Sequence, residues 1–598
     1  MFQSFDVTSR PEDGPPRLAL LRAEMKREGV DGFLVPRADA HQGEYVAPCD
    51  ARLAWLTGFT GSAGFCAVLP DQAGVFVDGR YRTQVKSQVD LAHFTPVDWP
   101  EVKLGDWLNT ALPEGGKIGF DMWLHTHDEI AKLNEVLDET GTMLWPIDNL
   151  VDRIWQDRPA RPKGKIIDYP AEFAGETSSE KRARIAKSVR EAGAHAAVIT
   201  LPDSICWLLN IRGNDIERNP VAQAFAILHS DSRVSLFTDP SKIVDLPPDP
   251  DIDVLDWTEF EPALCALKGP VLVDGKTAPF SVVACLEDQG THVKFAQDPC
   301  ILPKARKNST EIAGSRAAHL RDGVAMVRFL AWLEEEAPKG HLSEIDVVQK
   351  LEGFRQANNA LRDISFETIC GSGPNAAIMH YRVTQESNRS IQSGQMLLVD
   401  SGGQYLDGTT DITRTVAVGD IGKEEKTCFT RVLQGMIAIS RVRFPNGLAG
   451  RDLDPLARYP LWLAGQDYNH GTGHGVGAYL SVHEGPQRIS KISEVPLEVG
   501  MMLSNEPGYY REGAFGIRIE NLIVVEDAAP LKGADAREML AFETLTYVPI
   551  DRRLIIPEML SNGERDWLNA YHAKTLEMLG PLVDGATRDW LIAACATL

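Results

Sequence analysis

The chain has 598 residues, 43% of them hydrophobic and 24% charged, which is material for two to four domains with ordinary cores. Its net charge of −23 argues against nucleic acid or an anionic membrane surface as the main partner, because both call for a basic face. The nine cysteines are odd in number and include no C-x-x-C pair, which argues against a disulfide framework or a cysteine zinc site and fits a reducing cytoplasm.

The first residues, Met1-Phe-Gln-Ser-Phe-Asp-Val, show no basic region followed by an apolar core, so no signal peptide is expected. No apolar run approaches the roughly 20 residues that span a bilayer. Residues 15–158 read as an α/β unit. Positions 17–28 have helical spacing, with Leu18, Leu20, Leu21 and Met25 on one side, and 32–36 form a short buried strand. The stretch from Trp55 through Gly64 leads into a strand at 65–69, and 74–78 form another, followed by Gly79-Arg80-Tyr81. Two prolines, a glycine and three basic residues at 159–165 mark a linker.

The next segment repeats this order: a helix at 178–192 and strands at 196–200, 223–228 and 234–238. Cys206-Trp-Leu-Leu-Asn-Ile211 echoes Ala54-Trp-Leu-Thr-Gly-Phe59. Any two α/β units share such an order, but the Trp-Leu at the same place favours an internal repeat. The Asp78-Gly-Arg80-Tyr81 turn has no counterpart, since Thr238-Asp-Pro-Ser stands there. The expected division is 1–158, 159–305 and 306–598, with a helical extension from about 540.

In the last segment Asn308-Ser-Thr-Glu311 can form a capping box for a helix running to about 336, and a second helix covers about 343–358. Residues 363–369 look strand-like. A hairpin with two carboxylates follows, then helices at 423–443 and 452–463. A glycine-histidine stretch, two more acid-bearing strands and a helical tail complete the chain. Helices plus an acid-bearing strand pair therefore occur twice, and two such halves face to face would bring four carboxylates together.

Those carboxylates are Asp400, at the end of an apolar run, Asp411 in Thr-Asp-Ile-Thr-Arg-Thr, Glu506 in Ser-Asn-Glu-Pro-Gly, and Glu520 in Gly-Ile-Arg-Ile-Glu-Asn. On a strand Arg518 and Glu520 share one face, Ile517 and Ile519 the other. Burying Glu520 then needs a cation, a metal or Arg518. Asp411 and Thr413 share a face in the same way. A single such acid is ordinarily a strand-end turn residue; four beside a histidine turn point to metal. His470 and His474 are four apart, but Gly471, Gly473, Gly475 and Gly477 oppose a helix, and no zincin Glu is present. The glycines instead allow a close approach of the backbone to a metal or ligand. His380 and His483 are further candidates. Four carboxylates with His474 make a hard ligand set suited to Mn, Co, Fe or Zn in a two-metal hydrolase.

Val399-Asp-Ser-Gly-Gly, Asp411-Ile-Thr-Arg-Thr, His470-Gly-Thr-Gly-His-Gly-Val-Gly, Val482-His-Glu-Gly-Pro, Ser504-Asn-Glu-Pro-Gly-Tyr-Tyr and Gly516-Ile-Arg-Ile-Glu-Asn together resemble the motifs of the pita-bread dinuclear metallopeptidases. Within these the chain is similar to the long, three-domain form of the aminopeptidase P family. Gly58-Phe-Thr-Gly-Ser-Ala-Gly64, Asp78-Gly-Arg-Tyr81, Leu209-Asn-Ile-Arg-Gly213 and Trp567-Leu-Asn-Ala-Tyr-His572 carry the likeness beyond the site. The resemblance implies an α/β fold of two similar creatinase-like domains followed by a pita-bread catalytic domain. It implies two divalent ions, Mn(II) first among them with Zn, Co or Fe as alternatives. Asp400 and Asp411 would bind one, His474 and Glu506 the other, with Asp411 and Glu520 bridging.

The implied activity is release of the residue before proline from peptide N-termini, by attack of a metal-bridging hydroxide on the Xaa-Pro bond. His380, His483 and Glu506 would serve catalysis; Arg80, His380, His470, His483 and Arg518 would contact substrate, Arg80 from the partner of a homodimer. A cytoplasmic enzyme is expected. Alternatives are a prolidase acting on Xaa-Pro dipeptides, a pita-bread module that binds proteins without catalysis, and a metal-free, creatinase-like C–N hydrolase.

Overall fold

The computed structural model describes every residue except 139 and 140. It divides into two compact units, Thr8–Lys304 and a second made of Met1–Val7 with Ala305–Leu598. The first seven residues thus fold with the C-terminal unit: the Gln3 side chain accepts from Thr368 N at 2.8 Å, and Phe5 O accepts from Gln385 N at 2.9 Å.

The N-terminal unit contains two six-stranded sheets of one topology. The first runs Thr95–Asp98, Ala73–Val77, Phe65–Val68, Gly32–Pro36, Lys117–Phe120, Met143–Pro146; the second runs Ile252–Leu255, Val234–Phe237, Phe225–His229, Ala196–Ile199, Val271–Val273, Val293–Phe295. Strand directions match pair for pair, parallel at both edges and antiparallel within the central hairpins. This establishes the duplication expected from the Trp-Leu echo. Trp55 and Trp207 sit on the equivalent helices Arg52–Thr57 and Pro202–Leu209. Both helices end on a left-handed residue, Gly58 (φ 87°) and Asn210 (φ 51°), which satisfies the last-turn carbonyls. The aligned Gly and Asn are therefore two solutions to one backbone requirement.

In the C-terminal unit the helix Ser309–Glu336 starts with the capping box expected at Asn308 and Glu311. It and the helix Glu344–Gln356 pack beside an antiparallel sheet of Ile369–Ser372, Gln395–Ser401 and Ile412–Val418. The helices Lys423–Arg441 and Gly450–Trp462 accompany the second, six-stranded sheet, which includes Gly473–Gly475, Glu484–Ile489, Met502–Asn505 and Asn521–Asp527. The helices Asn562–Leu579 and Gly585–Ala594 end the chain.

Three details differ from the sequence pattern. The helical extension expected from about 540 begins only at Asn562, because Met539–Thr544 is a strand paired into the six-stranded sheet. The expected strand at 363–369 is two pieces, Asp363–Ile364 and Ile369–Ser372, in different sheets, with Ser365 Oγ donating to Thr410 O at 2.8 Å between them. The hairpin strand also breaks, into Gly408–Thr409 and Ile412–Val418. Thr410 bonds back to Gly403 there, so Asp411 lies in the jog where the chain passes from one sheet to the next.

Candidate metal centre

The ladder fixes the first half of the site. Asp400 stands opposite Thr413 in the register of Gln395–Ser401 with Ile412–Val418. Opposite residues share a face, and the Asp411 charge acts on Asp400, so the hairpin's two acids lie together. The second half joins through Thr413 and Thr415. Glu520 N donates to Thr413 O at 3.2 Å, and Thr415 Oγ1 accepts from Arg518 N at 3.1 Å. Thr413 Oγ1 donates to Glu520 Oε2 at 2.8 Å and receives Arg518 Nε at 3.2 Å. Arg518 Nη2 reaches Asp400 Oδ2 at 2.5 Å. The Arg518–Glu520 strand face thus meets the acid-bearing hairpin.

His474 is the middle residue of Gly473–Gly475. Its Nε2 lies 3.5 Å from Asp411 Oδ2 and 3.4 Å from Glu506 Oε1, and its Nδ1 bonds Gly475 O at 2.9 Å. Ligand atoms of Asp411, His474 and Glu520 all fall within 4.8 Å of one another. Ser504 Oγ donates to Glu506 Oε1 at 3.0 Å and accepts from His474 N at 3.0 Å, fixing both groups. The glycines serve the neighbouring strands here: a Cβ on Gly473 would meet Ser504 O at 1.9 Å, and one on Gly475 would meet Glu484 O at 2.3 Å.

The electrostatics are those of a cation site. Burial pushes Asp400 up to about 6, and Asp411 and Glu506 add to this against the pull of Arg518. Burial likewise raises Glu506, opposed by His474 and Arg518. It raises Glu520 far more, with the charges of Asp411, Glu506 and Asp400 acting the same way. Burial alone would lower His474, but the Asp411 hydrogen bond and the Glu506 charge carry it up to about 9. Asp400 Oδ1 and Asp411 Oδ1 are buried with no hydrogen-bond partner. Two orphaned carboxylate oxygens beside mutually repelling acids are a cost that bound divalent cations would remove, and the oxygen-rich donors with one imidazole fit such ions.

Of the other candidates, His483 stacks edge-on against His474 with ring centroids 4.2 Å apart. His470 Nε2 pairs with Tyr510 OH at 2.9 Å, and Tyr510 OH takes Arg518 Nη1 at 2.5 Å. His380 follows Met379, whose carbonyl accepts from Arg518 Nη2 at 3.3 Å. Arg80 belongs to the N-terminal unit, where it pairs with Asp78 at 2.7 Å.

Family models match along most of the length: Creatinase/Prolidase N-terminal domains at residues 17–154 and 157–311, metallopeptidase family M24 at 313–527, and the C-terminal region of that family at 538–598. Aminopeptidase P2 of Arabidopsis thaliana is 39% identical over 94% of this chain and 85% of its own. A probable Xaa-Pro aminopeptidase P of Laccaria bicolor is also 39% identical, over 97% and 93%. The chain belongs to metallopeptidase family M24, in its aminopeptidase P group. The solved X-prolyl aminopeptidase of Caenorhabditis elegans, described as a cytosolic enzyme with a di-nuclear active site, superposes at TM-score 0.91 with 34% identity, covering 98% of this chain and 99% of that one. The fold is accordingly two creatinase-like α/β domains followed by the pita-bread domain of the M24 peptidases.

Three residues support the site in roles that the strand pattern alone does not assign. Thr413 links Glu520 to Arg518, and Tyr510 links Arg518 to His470. Arg414, on the opposite face of the strand, donates to the carbonyls of Thr413, Glu520, Val548 and Pro549, to Asn521 Oδ1 and to Tyr571 OH, all at 2.6–3.1 Å. Through Tyr571 it ties the helix Asn562–Leu579 to the floor of the site. Thr413 and Arg414 stand in the quoted motif beside Asp411, which was the available signal.

Proposed function

We propose that the protein is a metal-dependent Xaa-Pro aminopeptidase, releasing the N-terminal residue from peptides with proline second. The observation that carries this is the convergence of Asp411, His474 and Glu520 within 4.8 Å beside orphaned carboxylate oxygens. It occurs in a chain similar almost end to end to Xaa-Pro aminopeptidases. Asp400, Asp411, His474, Glu506 and Glu520 would hold two divalent ions, Asp400 with Asp411 on one side and His474 with Glu506 on the other, Asp411 and Glu520 serving both. Mn(II) is the ion we assign, from the oxygen-rich donors. When bound, such ions would lower the pKa of an attacking water and polarise the scissile carbonyl.

The chain's own groups do the rest. His483 and His380 hold the carbonyl oxygen as negative charge develops on it. Glu506 carries the proton to the leaving proline nitrogen. His470, held by Tyr510, and Arg518 shape the wall around the ring. The proline amide is tertiary with a fixed φ, so recognition depends on a shaped pocket rather than on strand-like pairing with an N–H. Arg80 contacts substrate from the N-terminal region of a partner subunit.

The exposed apolar residues Leu456, Tyr459 and Leu463, spaced along one helical stripe with Trp462 beside them, support a homodimer. The domain limits 1–158, 159–305 and 306–598 accompany this reading, except that residues 1–7 fold with the last of the three. Placement in the cytoplasm is supported by nine cysteines outside any disulfide and by the cytosolic C. elegans relative. No helix among the described residues is long and apolar enough to cross a membrane.

The duplicated N-terminal domain favours an aminopeptidase over a prolidase. Comparing turnover of an Xaa-Pro dipeptide with that of an Xaa-Pro-Xaa tripeptide tests this: the tripeptide should be the better substrate. Activity confined to the dipeptide would overturn the assignment.

A further inference from the structure

Seven of the nine cysteines, Cys49, Cys66, Cys206, Cys300, Cys370, Cys428 and Cys595, are buried. The two that are part-exposed, Cys265 and Cys285, are also the two that touch: their sulfurs are 2.9 Å apart. They lie on the neighbouring helices Phe260–Ala266 and Phe280–Asp288 of the second creatinase-like domain, outside the metal centre. A disulfide has sulfurs about 2.05 Å apart, so bond formation needs less than about 1 Å of approach. Close pairing and partial exposure therefore select the same two thiols of the nine.

We propose that Cys265 and Cys285 are a reversible modification site, closing to an intramolecular disulfide by exchange with a low-molecular-weight disulfide such as oxidised glutathione.

Both thiols are part-exposed and the thiolate is the attacking form, so exchange opens at either sulfur, here at Cys265. The Cys265 thiolate attacks one glutathione sulfur; the glutathione S–S bond breaks and one glutathione thiolate leaves, taking up the proton that Cys265 released. Cys285 then attacks the Cys265 sulfur of the mixed disulfide, and its proton goes to the second departing glutathione. The balance is one oxidised glutathione consumed, one protein disulfide formed and two reduced glutathiones released. Because Cys285 already touches the Cys265 sulfur, the mixed disulfide is short-lived.

The test incubates the full-length protein with oxidised glutathione, blocks remaining thiols by alkylation, and maps the digest by mass spectrometry. The expected result is a linked Cys265–Cys285 peptide, two alkylatable thiols lost per chain, and no glutathione retained. In Cys285→Ser one glutathione should remain trapped on Cys265, and dithiothreitol should remove it. Retained glutathione on the wild-type pair, a link between two chains, or reaction only at other cysteines would overturn the proposal. So would no reaction in either protein. Because Cys285→Ser changes one part-exposed atom, a folded variant is expected, and the wild-type map decides the question even without it.

Discussion

Asp411 Oδ1 is buried without a partner while Oδ2 lies 3.5 Å from His474, so the residue offers two oxygens in two directions. An asparagine would fill the same space with one acceptor and no charge. For Asp411→Asn we expect kcat/KM on an Xaa-Pro-Xaa peptide to fall about 10³-fold or more, the several kcal/mol that metal ions contribute to a transition state. Metal content measured on the same sample should fall too; full activity with two bound ions would refute its place as a bridge. His483 packs on His474 without an assigned ligand role, so His483→Ala should lower kcat by roughly 10²–10³-fold, the worth of one oxyanion donor. Metal content should be kept, and its loss would make His483 a ligand instead. Asp400, Asp411, Glu506 and Glu520 were legible in the sequence because each is a carboxylate in an apolar or glycine-rich strand, where charge without a partner is costly. Tyr510 closes the Ser504-Asn-Glu-Pro-Gly-Tyr-Tyr motif, but its role was not legible, because its partners His470 and Arg518 define it and only the fold brings them together.

Among the elements, the strand Ile412–Val418 does two jobs on its two faces: Thr413 serves the acids, and Arg414 serves the floor. The buried Arg414 guanidinium satisfies four carbonyls from three separate segments. Arg414→Met would leave several of these unpaired, at about 1–3 kcal/mol each. We expect a loss of stability of about 3 kcal/mol or more in urea unfolding, with weakened metal retention because the Glu520 backbone loses its anchor. Unchanged stability would show that the clamp is redundant. The helix Asn562–Leu579 contributes His572, whose Nε2 accepts from Ile550 N at 3.1 Å. Burial, helped by Arg414 and Arg552, lowers His572 to about 4. The folded state therefore holds it neutral, while the unfolded chain protonates it below about 6.5. Its contribution is complete above pH 6.5 and is lost as pH falls toward 4, about 2 kcal/mol of it by pH 5. Wild-type stability should thus fall more between pH 7.5 and 5 than that of His572→Gln; equal falls would contradict the assignment. The helices and strands were mostly legible from periodicity and caps. The break at Asp411 was not, since Thr410 leaves one ladder for another through its bonds to Gly403 and Ser365, residues of other segments.

Over the whole molecule, duplication recurs: two sheets of one topology in the N-terminal unit, and two helix-pair and acid-strand halves in the C-terminal unit. The first was legible through Trp55-Leu and Trp207-Leu, which mark equivalent helices. The second was legible through the paired acids, and the crossing of the halves at Thr413–Glu520 and Thr415–Arg518 gives one centre from two. The central claim is that this centre, loaded with two divalent ions, cleaves Xaa-Pro bonds at peptide N-termini. The direct measurement is turnover of a short Xaa-Pro-Xaa peptide by the full-length protein, as purified, after chelation, and after Mn(II) add-back. The account predicts loss of turnover on chelation and its return as Mn(II) approaches two equivalents per chain, with the N-terminal residue as the released product. Turnover that survives chelation with the ions removed, or none at all with two ions bound, would contradict it.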